Sequence, residues 1–69
     1  MLRYRIQFDV LDEHGNTVQR DVALYFKLAK TRIDDFDDAL HFNVKKHCHH
    51  EYDMPVRTTV KDVAFLGDV

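Results

Sequence analysis

Apolar side chains occupy every second position at the start of this chain: Leu2, Tyr4, Ile6, Phe8 and Val10, separated by Arg3, Arg5, Gln7 and Asp9. A period of two marks a strand with one face buried and one face in water. Gly15-Asn16 then supplies turn chemistry. A second alternating run sets Val22, Leu24, Phe26 and Leu28 on one side and Asp21, Ala23, Tyr25 and Lys27 on the other. The two runs predict a long β-hairpin. Burying both apolar faces together requires Tyr4 opposite Phe26, Ile6 opposite Leu24 and Phe8 opposite Val22, because a slip of one residue would turn every side chain over.

The period then changes. Ile33, Phe36, Leu40, Val44 and His47 recur at three- and four-residue intervals, the spacing of one helix face. Thr31 and Asp34 have the spacing of a capping box, with Asp in place of Glu. Asp34, Asp35, Asp37 and Asp38 crowd the helix start, and Lys45, Lys46 and the histidines its end, as the helix dipole favours. Met54-Pro55 stops the helix. A third strand is expected over 56–69, where Val56, Thr58 and Val60 share one parity and Val63 and Phe65 the other. A bulge near Lys61-Asp62 reconciles the two halves. The expectation is one α+β domain over 1–69, ββαβ in order. Its mostly antiparallel three-stranded sheet has spatial order 2-1-3, with one helix on one face. The other face is left to solvent.

Composition narrows this without redirecting it. A chain of 69 residues has room for one small core, and 45% hydrophobic residues, with five phenylalanines and three tyrosines, suffice to build it. The net charge of −2 argues against a global field for nucleic acid. One cysteine excludes an internal disulfide framework and fits a reducing compartment. No apolar run is long enough to span a bilayer, and the charged N-terminal stretch is unlike a signal peptide. A cytoplasmic protein, monomeric or homodimeric, is the expectation.

Two surfaces stand out as candidates for binding. On the open sheet face, Arg3 falls opposite Lys27 and Arg5 opposite Tyr25, and the third strand adds Arg57, Thr59 and Lys61. Such residues are ordinary on a solvated strand. Like charges placed opposite each other, however, cost stability, which points to an acidic protein surface or a nucleic-acid backbone as partner. RNA-binding sheets stack bases on two or three aromatics, and only Tyr25 is offered here, so nucleic acid is the secondary expectation. The second surface is the outer side of the helix. Asp34, Asp35 and Asp38 form an acidic patch, or simply a solvated first turn, and Phe42 interrupts the polar face as an interface anchor or a local packing residue.

The segment Lys45–Asp53 holds three histidines, the cysteine and two carboxylates. His47 and His50 have the spacing of a shared metal site, and Cys48 is a soft ligand. Zinc sites draw ligands from two segments, and His14 and His41 offer no second pair. The reading preferred is a helix end with His47 and Cys48 edging the core, with no metal and no cofactor; a histidine-rich metal-binding regulator is the third option. With two glycines, no phosphate loop and no cleft for the carboxylates, an enzyme is not expected.

In its element order the chain resembles small phage-encoded inhibitors of host machinery, the anti-CRISPR proteins and phage inhibitors of bacterial RNA polymerase. The resemblance rests on a charged alternating hairpin, a helix start reading Asp34-Asp35-Phe36-Asp37-Asp38-Ala39-Leu40, and a last strand ending Val60-Lys61-Asp62-Val63-Ala64-Phe65-Leu66-Gly67-Asp68-Val69. It implies a protein that occludes a host protein or ribonucleoprotein complex without a cofactor, with anti-CRISPR activity ranked ahead of polymerase inhibition.

Overall fold

The computed structural model describes residues 1–68. Strand β1 spans Leu2–Asp12 and β2 Thr17–Leu28; a 3₁₀ helix follows over Lys30–Asp35, then α1 over Phe36–Glu51 and β3 over Val56–Asp68. Val69, the expected last residue of the third strand, lies outside the described residues. The sheet order is β2-β1-β3 and both pairings are antiparallel. The α+β, ββαβ architecture and the 2-1-3 order inferred from the alternation are therefore what the chain adopts.

The register is also as the alternation requires: Tyr4 pairs with Phe26, Ile6 with Leu24 and Phe8 with Val22. At the hairpin tip, the Asp12 carboxylate accepts the backbone N–H groups of His14 and Asn16, each at 2.9 Å. Gly15 turns the chain there at φ 85°, a conformation open to glycine at no steric cost. The Asn16 backbone N–H in particular holds the Asp12 carboxyl below its ordinary pKa. A depressed folded pKa means that this stabilisation is complete above the unfolded value of about 4 and is lost as pH falls through the folded value. Asp21 and Asp68 are lowered as well, mainly by hydrogen bonds from Lys61 and Lys30 respectively. Urea midpoints measured by circular dichroism are therefore expected to decline from pH 5 toward pH 2, and Asp12→Ala to lower the midpoint at pH 6 more than at pH 2.

The bulge expected near Lys61-Asp62 is present. Gln7 pairs with Asp62 and Phe8 with Val60, so Lys61 is the extra residue. A second shift, with Tyr4 opposite Phe65 and Arg3 opposite Gly67, leaves Leu66 extra. On the other side of β1, Phe8 pairs with Val22 and Val10 with Gln19, so Arg20 and Asp21 together oppose Asp9.

The helix starts later than its pattern suggests. Residues 30–35 form the 3₁₀ turn, kinked at Arg32, and α1 begins only after Asp35, so Thr31 is the N-cap of neither helix and the Thr31–Asp34 capping box does not form. Ile33, assigned to the buried stripe, is exposed, because the 3₁₀ turn rotates it off the α-helical face. Leu40, Val44 and Cys48 carry the stripe instead, closing over Ile6, Phe8, Val10, Phe26 and Leu28. Tyr4 stacks on Phe26 at 5.5 Å between ring centroids and meets Phe36 at 4.8 Å, sealing one end of the core. The helix ends at Glu51, where the Tyr52 N–H caps the Cys48 carbonyl.

α1 packs over β1 and β2 and leaves β3 largely uncovered. The residues of β3 on the helix side, Val60, Val63 and Phe65, lie beside the fully buried Phe8 and Ile6 and the half-buried Tyr4, yet are 38%, 38% and 59% exposed.

Candidate protein-binding surface

Alternation along β1 and β2 sends Arg3, Arg5, Tyr25 and Lys27 to the face away from α1, and the register brings them together: Arg3 sits opposite Lys27 and Arg5 opposite Tyr25. Two cations thus face each other across a strand pair. Arg3 donates to the Leu66 carbonyl at 3.4 Å, and Arg5 approaches Asp62 at 3.7 Å, beyond hydrogen-bonding distance. Lys27 has no ion-pair partner among the described residues. Tyr25 is 64% exposed between them. A shallow depression of about 290 Å³ at this end of the sheet is lined by Arg3, Tyr4, Tyr25, Phe26, Lys27 and Leu66. The arrangement is a pair of cations beside one exposed aromatic, Tyr25, suited to receiving a carboxylate-bearing segment.

The remaining two sheet residues proposed from the sequence are not part of this group. Arg57 pairs in register with Leu11, toward the hairpin tip. Lys61 is drawn across the face by acidic residues, reaching Asp21 at 2.6 Å and Asp9 at 3.7 Å. Its partners hold the Lys61 ammonium above its ordinary pKa, chiefly through the Asp21 hydrogen bond. Asp9 also accepts the Asp21 backbone N–H at 3.0 Å. Asp9, Asp21 and Lys61, one from each strand, thus tie together the points where β2 and β3 both bulge. Asp21 has φ 55°, tolerable for Asp and disfavoured for a β-branched residue. In thermal melts, Asp21→Asn is expected to lower Tm by weakening the Lys61 contact, and Asp21→Val to lower it further by adding backbone strain.

The open face is consequently divided in charge, cationic around Arg3 and Lys27 and ion-paired around Asp9 and Asp21. The alternation located the first half. The second depends on bulges at Arg20-Asp21 and Lys61, and only the parity slip in β3 signalled one of them.

On the helical side, Asp34 and Asp35 lie in the 3₁₀ turn, where Asp35 is bonded by Arg32 at 3.4 Å, and Asp38 lies in the first turn of α1. Phe42 is 66% exposed on the side of α1 away from the sheet, beside a shallow depression it shares with Lys45, Lys46, His49 and His50. The helix thus separates an acidic start from a basic end, with Phe42 between. Of the histidine cluster, Cys48 is in the core and its thiol pKa is raised by burial. His47 meets the Phe8 ring edge-on at 6.0 Å, and His49 and His50 face water. Among the described residues, no group of three histidine, cysteine or carboxylate side chains is arranged to hold a metal ion. No described helix is long and apolar enough to cross a membrane.

No protein-family model matches this chain, and neither a curated protein nor a solved structure matches it significantly. Its own surface chemistry therefore carries the functional reading.

Proposed function

We propose that this chain is a non-catalytic binding module that docks the cationic end of its open sheet face on an acidic surface of a nucleic-acid-processing complex. Within that class, inhibition of a CRISPR effector is ranked first and inhibition of bacterial RNA polymerase second, in a bacterial cytoplasm and in the manner of small phage inhibitors. The observation that supports the docking face is the Arg3–Lys27 pairing. Two like charges set opposite each other destabilise a hairpin, whereas a carboxylate arriving between them removes the repulsion, so the cost is recovered on binding. Tyr25, exposed beside them, adds a flat amphipathic contact of the kind that anchors interfaces. Binding through charge of this kind speeds encounter and orients the partner.

Stoichiometric protein added to DNA cleavage by purified CRISPR effectors, and to transcription by bacterial RNA polymerase, tests the reading. One of these reactions is expected to stop near equimolar inhibitor and to be relieved at high salt. If both proceed and random RNA or DNA is instead bound with a steep salt dependence, the chain is a nucleic-acid binder and the proposal fails.

A further inference from the structure

The cationic end leaves unexplained the opposite side of the sheet. There β3 presents Thr58, Val60, Val63 and Phe65 and, among the described residues, nothing is layered above them and no strand lies beside its outer edge. Next to this row runs a groove of about 330 Å³ whose wall is His41, Val44, Lys45 and Cys48 of α1 and whose floor is Val56 and Thr58. The chain is correspondingly open. It exposes 4996 Å², where a compact monomer of this mass exposes about 4,500 Å².

We infer that a second copy of this chain covers β3, in a two-fold dimer whose axis runs along the strand. β3 of each copy lies face to face on β3 of the other, in the space beside the other's α1. Three features select a second copy as the occupant. First, the vacant layer has the depth of what this chain can supply: stacked sheets sit about 10 Å apart and a helix is about 10–12 Å across, so an incoming β3 lies level with α1. Second, the same operation places the second copy's α1 alongside the free edge of β3, one of the established ways of protecting an edge strand. The bare face and the bare edge are thus closed together. Third, an axis along the strand brings each residue of the row against its own counterpart, which is tolerable only where the row carries no charge. Between Thr58 and Phe65 it carries none, because the bulge sends Lys61 to the other face, where it meets Asp21 and Asp9. The exposed side of Phe65, whose other side packs on Tyr4 at 5.4 Å, then meets its symmetry mate. The cationic ends of both copies stay outside, on the outer faces of the pair.

Sedimentation equilibrium of the purified chain over a wide concentration range tests this directly. The expected mass is twice 8.2 kDa at high concentration. Val60→Lys combined with Val63→Lys sets like charges against themselves and is expected to weaken association at least 100-fold while far-UV circular dichroism is retained. Should that variant fail to fold, Val63→Cys supplies the second readout. A short bis-maleimide is expected to link two copies through position 63, beyond any linkage seen in the parent chain through buried Cys48. A parent chain that sediments as a monomer at every concentration overturns the inference. So does a folded lysine variant that still dimerises, or a Val63→Cys chain that dimerises without being linked. None of these readouts involves the cationic face.

Discussion

Phe8→Ala is expected to leave the chain largely unfolded in water at 25 °C. Phe8 is 0% exposed and is the largest of the three fully buried side chains, the others being Ile6 and Val10. It lies on the central strand with Val22 on one side and Val60 on the other, and under the edge of His47. Truncation removes a ring that nothing nearby can replace, and such changes cost about 3–5 kcal/mol. A single core in a chain this short rarely supplies more than about 3–5 kcal/mol of net stability. The loss therefore consumes most of it. Urea titration followed by circular dichroism reads the effect, and a midpoint within error of the parent's would contradict the packing described. Phe42→Ala is the matched control, the same ring removed from the exposed side of α1, and is expected to change stability by less than about 0.5 kcal/mol.

The second large effect concerns binding. Arg3→Glu combined with Lys27→Glu is expected to weaken partner binding at least roughly 100-fold, about 2.7 kcal/mol, with the fold intact. The substitution replaces repulsion between two cations by repulsion between two carboxylates, so the hairpin is little changed while the surface seen by an acidic partner is reversed. Arg57→Glu, on the same face but toward the hairpin tip, is expected to leave affinity within a few-fold. Equal losses from both changes would mean that net charge governs binding, and the local patch would lose its role.

Most of this architecture is legible in the residues themselves because one rule, burial of one face per strand, fixes register once the alternation is seen. Leu2 to Val10 and Val22 to Leu28 leave a single sensible pairing, and the slip of parity between Val60 and Val63 requires a bulge where one is found. The helix start was harder. Thr31 and Asp34 have capping chemistry, but a capping box stabilises a helix only where the chain enters one, and the kink at Arg32 delays α1 to Phe36. Arg3, Arg5, Tyr25 and Lys27 could be grouped from alternation alone, because they lie on two regular, adjacent strands. Lys61 could not be separated from them. Its partners Asp9 and Asp21 come from two other strands and meet it only because both outer strands bulge. The uncovered side of β3 was equally hidden, since alternation tells which face of a strand is apolar and not how far a single helix reaches across three strands.

The claim that the cationic end of the sheet is the docking face is tested most directly by site-specific photocrosslinking in bacterial cells. A photoreactive phenylalanine analogue would be placed at Tyr25 in one version of the chain and at Phe42 in another. The account predicts a discrete crosslinked species from position 25, lost when Arg3→Glu and Lys27→Glu are present and absent from position 42. A crosslink from position 42 alone, or one from position 25 that survives the charge reversal, would contradict it.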